Sequence, residues 1–166
     1  MNTPQLNPRA AFLIGFLYCV GLILTAFYFQ FVDGLSPCPL CISQRIAVVL
    51  TGLILAAGFI HNPGQRGVRV YRWVAGLSAL AGASISARHV WIQHLPADEV
   101  PACGPGLAYM FEYFPLGETL KAMVNGTGDC AKVDWTLLGL SMPAWVLMAF
   151  LALAAWSLYP FKDPRR

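Results

Sequence analysis

Charge is the scarcest commodity in this sequence. Only 11% of its 166 residues are Asp, Glu, Lys or Arg, while 57% are hydrophobic. Soluble domains carry about 25% charged residues, so an ordinary soluble domain is excluded. Several redox signatures are missing as well. There is no glycine fingerprint of a dinucleotide fold and no iron–sulfur spacing. A c-type haem site needs His directly after the second cysteine of a CxxC, and Ile42 stands there instead. No internal repeat, low-complexity tract or second-domain boundary interrupts the chain, so residues 1–166 read as a single membrane domain.

What is present is long apolar runs. A bilayer core takes about 20 mostly apolar residues per helix, and four stretches qualify: 10–32, 42–60, 70–92 and 137–159. The first is longer than the roughly 7–15 apolar residues of a signal peptide, and no A-x-A-like cleavage site follows it, so it reads as a span. The expected fold is an all-α membrane protein, a bundle of four transmembrane helices.

Lys and Arg set its orientation. Arg9, Arg66, Arg69, Arg72, Lys162, Arg165 and Arg166 fall on one side, against Lys121 and Lys132 on the other. Both termini are therefore expected in the cytoplasm, with loops 33–41 and 93–136 in the periplasm. The net charge of +3 reflects this sidedness and implies no nucleic acid partner.

Four of the five cysteines lie on the outer side, where disulfides persist. Cys19, inside the first span, reads as a buried packing thiol. Cys103 and Cys130 enclose a long Gly- and Pro-rich segment, where a static crosslink would remove much unfolded-state entropy. Cys38 and Cys41 are different. A bridge between them constrains the unfolded chain little, so stability is a poor reason for it. Redox exchange is a better one, because a CxxC at a helix N-terminus has lowered thiol pKa values. Pro37 and Pro39 disfavour helix before Cys41, and the apolar run begins at Ile42. Cys41 is thus expected in the first turn, near the positive end of the helix dipole. A zinc site of Cys38, Cys41, Cys103 and Cys130 is disfavoured by the wide spacing of the second pair and by the oxidising side, so no metal is expected.

Arg45 lies one turn below Cys41, about 6 Å deeper along a helix. A charge there costs up to roughly 3 kcal/mol. It either snorkels to the rim or serves the cysteines, stabilising a thiolate or a carbonyl oxygen that becomes negative on reduction. Gln44 is beside it, and Arg88, His89 and Gln93 sit at the same depth on the third span. An amphiphilic ring with polar oxygens would lodge there.

Electron bookkeeping asks for such a ring. A strong periplasmic dithiol oxidant has a potential near −120 mV, and a CxxC at the thioredoxin value sits near −270 mV. Oxidising the first with the second runs about 150 mV, or about 7 kcal/mol, uphill. Either the CxxC is unusually oxidising or something drains its electrons. With the other carriers missing, that drain is expected to be a membrane quinone.

These residues resemble the disulfide bond formation protein B family, DsbB. The resemblance covers nearly the whole chain: four spans, the C-x-x-C-x-x-x-R run of Cys38, Cys41 and Arg45, a second cysteine pair in the long outer loop, and the run GDCAKVDWTLLGLSMPAW from Gly128 to Trp145. It implies a four-helix bundle in the bacterial inner membrane. It implies an enzyme that reoxidises a soluble periplasmic oxidase of the DsbA type and passes the electrons to ubiquinone or menaquinone. By the same resemblance Cys103 is attacked by the partner, Cys130 exchanges with the CxxC, and Cys41 faces the quinone. Arg45 matches the family's quinone-site arginine and His89 its third-span histidine, with Gln44 and Arg88 as further candidates. Arg88 departs from the acid or neutral residue expected at that position.

Smaller features complete the reading. Leu116, Leu120, Met123 and Val124 recur at helical spacing after Pro115, which predicts a short amphipathic helix lying on the outer membrane surface against lipid. Ala75, Ala79, Ala83 and Ala87 form a small-residue stripe expected to allow close helix packing. The sequon Asn125-Gly126-Thr127 is of the kind short glycine turns produce by chance. A stapled structural protein would need no exchangeable CxxC. A small transporter would place its polar groups near the bilayer midplane, and here they gather at the outer rim.

Overall fold

A computed structural model describes residues 7–96, 98–104 and 107–159. In chain order the elements are α1 (Pro8–Phe31), α2 (Pro39–His61), α3 (Gln65–Ile92), α4 (Leu107–Tyr113), α5 (Leu116–Asn125), a 3₁₀ turn (Gly128–Ala131), β1 (Thr136–Leu137), β2 (Leu140–Ser141) and α6 (Met142–Leu158). The protein is thus predominantly helical. α1 and α2 are long and apolar enough to cross a membrane, and α6 is a shorter apolar helix of 17 residues. The charges Lys162, Arg165 and Arg166 lie outside the described residues.

The helices pack in a row. α2 lies between α1 and α3, α3 packs along α6, and α1 barely meets α6. Large apolar side chains such as Leu24, Leu53, Leu77 and Leu151 point outward, and small ones line the seams. This suits a membrane protein, whose helices are held by close packing rather than by expulsion of water. Gly82 shows how close: a Cβ there would run into the ring of Phe150 on α6. Ala75, Ala79 and Ala83 are buried as the stripe predicts. Ala87 is exposed, and Ser86 takes the inward position instead.

Three departures from the apolar pattern matter. α2 begins at Pro39, three residues before the apolar run, because Cys38 caps it: its sulfur accepts from the Cys41 amide at 3.3 Å. α3 begins at Gln65, so Arg66 and Arg69 are helical. The fourth stretch, 137–159, is not helical from its start. Thr136–Leu137 pairs antiparallel with Leu140–Ser141. Leu138 and Gly139 turn between them with φ of 53° and 79°, the two left-handed residues of a type I′ hairpin. The helix cannot extend back through this turn, since the Pro143 ring would collide with the carbonyl of Gly139. Leu138 at the tip is 85% exposed.

In the long loop between α3 and α6, α5 forms where the periodicity places a helix. Its buried face is Thr119 and Met123, while Leu116, Leu120 and Val124 are exposed. Ser43 of α2 donates to the Met123 carbonyl at 2.7 Å and docks α5 on the bundle. The predicted stripe is therefore split: Met123 faces protein and the other three face away. α4 has no counterpart in the sequence reading.

Candidate functional site: a cysteine cluster at the mouth of an open cleft

The N-terminus of α2 has backbone N–H groups without helical partners, and sulfur occupies them. Cys38 Sγ takes the Cys41 amide and lies 3.0 Å from Cys41 Sγ. The long loop brings a third sulfur to the same place. Cys130 sits on the 3₁₀ turn, 0% exposed, packed against Leu40 and Ile92. The Cys38 thiol beside it draws the Cys130 thiol down to about 6, helped by the backbone amides of Leu40 and Thr127 and opposed by burial. Cys38 therefore neighbours both Cys41 and Cys130.

Cys103, on the same long loop as Cys130, is exposed. Its segment lies over the 3₁₀ turn, where the Gly128 amide donates to the Ala102 carbonyl at 3.2 Å. A Cβ on Gly128 would come within 2.5 Å of the Pro101 carbonyl oxygen and 3.0 Å of Cys103 Sγ, so only glycine admits this close approach. Cys19 is buried at mid-bundle, against Gly52 and away from the other four.

Two buried side chains from different helices back the CxxC. His89 of α3, 2% exposed, has Nε2 3.7 Å from Cys38 Sγ and Nδ1 3.2 Å from Gln44 Nε2. Gln44 lies one turn below the cysteines on the buried side of α2. Arg45, its neighbour, turns the other way. Its guanidinium bonds the Gln30 side chain, donates to the Ala26 carbonyl at 3.0 Å and lies 5.6 Å from the Phe27 ring centroid. It is engaged with α1 and does not simply reach for the rim.

These groups border a cavity of about 1220 Å³ between α1 and α6. It exists because those two helices barely touch. Beyond its last α6 lining residue, Ala152, the two helices are tied by Trp156, whose indole donates to the Ala11 carbonyl at 3.1 Å. Cys38, Cys41, Gln44, Arg45 and His89 all line the cavity. The hairpin forms part of its mouth through Leu137, tied down by a 3.2 Å bond from the Trp145 indole to the Leu137 carbonyl. Gln93 anchors the hairpin's end, accepting from Ser141 Oγ at 2.6 Å.

Of the sequence candidates, the structure gathers Cys38, Cys41, Cys130, Gln44, Arg45 and His89. It sets Arg88 apart. That side chain points to α5, 3.4 Å from the Asn125 carbonyl and 4.5 Å from the Trp91 ring, and does not line the cavity. The sequence reading missed Gln30. A lone amide near the C-terminal end of an otherwise apolar stretch was the available signal. It also missed the aromatic wall of Phe29 and Trp135, whose rings meet at 5.0 Å.

Comparison with known proteins identifies the family. The family model for Disulfide bond formation protein DsbB matches residues 8–160. The chain belongs to the DsbB family. It is 61% identical to Disulfide bond formation protein B of Methylococcus capsulatus over 96% of this chain and 98% of the relative. It is 49% identical to the protein of the same name from Hahella chejuensis, again over 96% and 98%. Disulfide bond formation protein B 1 of Pseudomonas aeruginosa is 46% identical over 95% and 97%. This DsbB-family chain is accordingly a disulfide bond formation protein, a membrane oxidoreductase.

Proposed function

We propose that this protein reoxidises a soluble periplasmic dithiol oxidase of the DsbA type and delivers the electrons to a membrane quinone. It would do so from the bacterial inner membrane, as a four-span bundle with both termini cytoplasmic. The observation that carries the reading is the placement of Cys41 and Arg45 on the wall of the cleft between α1 and α6.

The cleft suits a quinone on three counts. It is mostly apolar and opens between two apolar helices. Its volume exceeds the usual 300–1,000 Å³ of a small-molecule site, leaving room for a ring with the start of a tail. Its polar groups converge at the cysteine end, where Arg45 would hold a ring carbonyl oxygen by a charge-assisted hydrogen bond. A quinone bound there accepts two electrons and two protons.

The protein's own sulfurs then have separate tasks. Exposed Cys103 is the one a soluble partner can reach. With a Cys103–Cys130 disulfide, attack by the partner's thiolate on Cys103 releases Cys130 as a thiolate. Cys130 attacks Cys38 of a Cys38–Cys41 disulfide, and Cys41 leaves as a thiolate facing the cleft. The amides at the start of α2 and the positive helix end favour each thiolate in turn. Gln44 holds the His89 ring so that Nε2 faces Cys38. The apolar walls of the cleft keep bulk water from the sulfur that faces the acceptor.

The deciding experiment is quinone reduction by the purified protein supplied with a chemically reduced periplasmic oxidase. Stoichiometric loss of oxidase thiols and of quinone absorbance is expected. Thiol loss without quinone reduction would overturn the proposal.

A further inference from the structure

The sequence argues against zinc by pairing the CxxC with Cys103 and Cys130. In the fold a different third ligand stands beside the CxxC. The ligating atoms of Cys38, Cys41 and His89 all lie within 4.8 Å of one another. They come from two helices, and all three residues line the cleft.

We propose that the reduced chain binds one soft divalent cation of the zinc class through Cys38 Sγ, Cys41 Sγ and His89 Nε2. Tetrahedral zinc, with Zn–S near 2.3 Å and Zn–N near 2.0–2.1 Å, places two sulfurs about 3.8 Å apart and sulfur about 3.6 Å from nitrogen. The Cys38 Sγ to His89 Nε2 distance is 3.7 Å, so that edge is already in place. The two sulfurs, 3.0 Å apart, need to part by about 0.8 Å. Thiolate and imidazole select zinc-like ions over magnesium or calcium. The fourth position opens on the cleft, the pattern of a site with three protein ligands and one exchangeable one.

Gln44 supplies the outer support such a site requires. Metal binding at Nε2 puts the imidazole proton on Nδ1, which faces the Gln44 amide at 3.2 Å. Turning that amide over presents its oxygen to the proton with no change of shape. Each ligating thiol gives up one proton, so binding releases two protons and moves no electrons. Two thiolates neutralise the +2 ion. The Cys38–Cys41 disulfide has no thiolate to offer, so binding is confined to the reduced state. A cation held there ties up both sulfurs of the CxxC and stops electron transfer. That consequence rests on the quinone reading; the binding does not.

The test uses the detergent-purified full chain, free of added quinone. Co²⁺ serves as the spectroscopic probe, and Zn²⁺ is titrated against a chromophoric chelator. The reduced chain should take up one equivalent, develop a thiolate-to-cobalt charge-transfer band and release two protons. The oxidised form of the same chain should bind at least 100-fold more weakly. His89→Ala should weaken binding at least tenfold, and Cys103→Ser should leave it unchanged. Equal binding by the oxidised and reduced chains would overturn the proposal, and misfolding of a variant cannot confuse that comparison. Wild-type affinity in both Cys38→Ser and His89→Ala would overturn it too. Because the assay contains neither quinone nor oxidase, failure of the functional reading leaves its result standing.

Discussion

Cys103 and Cys130 leave the same loop and arrive in opposite settings. Cys130 is fully buried, with Cys38 and the backbone amides of Leu40 and Thr127 as partners. Cys103 is exposed, and its segment rests on the same turn at Gly128. One segment carries both a sulfur offered to solvent and a sulfur fitted to the bundle. Static crosslinks do not need that asymmetry. A relay does, because its outer end must meet a soluble protein and its inner end must meet a fixed dithiol.

Loss of the inner dithiol and loss of Cys103 should have opposite effects. Cys41→Ser is expected to abolish quinone reduction while Cys103 still forms a mixed disulfide with the oxidase. Cys103→Ser should do the reverse, losing the oxidase as donor while a small dithiol still drives quinone reduction. Quinone absorbance and non-reducing gels read the two outcomes, and full activity of Cys41→Ser would sink the relay. Next in size is the cleft wall. Arg45→Met loses a charge-assisted hydrogen bond of about 1.5–3 kcal/mol, equal to about 10- to 150-fold in the KM for a soluble quinone analogue. Gln30→Leu should reproduce a smaller part of that rise, since it removes the partner that orients the guanidinium. Unchanged KM in Arg45→Met would return Arg45 to an anchoring role.

Gly128→Ala tests the junction between the two sulfurs. The added Cβ has no room below the Pro101 carbonyl and Cys103, so oxidase-driven turnover should fall about tenfold. Turnover driven by a small dithiol should be kept. Equal loss in both assays would mean that the substitution disturbs the whole site.

The smallest effect is a shift in pH. In the fully reduced protein Cys130 should ionise near pH 6, and Cys38→Ala should move that midpoint upward by removing its largest cause. Peptide-resolved alkylation across pH 5–9 reads this directly. The sign for stability follows. A thiol depressed from 9.0 to about 6 stabilises the reduced fold above the unfolded value, and that contribution is lost as pH falls through about 6. A reduced protein that grows more stable between pH 8 and pH 5 would contradict it.

Much of the site was legible in residues 36–50. Proline before the apolar run, a CxxC at its head and an arginine one turn down are local features, and Cys41 stands in the first turn of α2 as that pattern implies, although the cap at Cys38 moves the helix start back to Pro39. The helix after Pro115 was legible for the same reason. The orientation of its faces was not, because Ser43 of α2 and Thr119 decide which side is buried. The hairpin at Thr136–Ser141 was hidden by its own leucines, which read as the start of a span. Only the left-handed pair Leu138-Gly139 and the clash at Pro143 separate turn from helix there.

The apolar courses of α1, α2 and α3, the helix after Pro115 and the shortage of charge follow from composition and from interactions within about four residues, and the sequence by itself determined those. The tertiary structure decided which helix pair stays open, that His89 meets Cys38, that Arg45 turns to α1, and that Cys130 rather than Cys103 is buried beside the CxxC. The contacts responsible join residues far apart in the chain, such as Gln30 with Arg45, 15 positions away, and Cys38 with His89, 51 positions away. No periodicity records them, because they depend on which small residues let two helices approach and on which pair, α1 and α6, packing leaves apart.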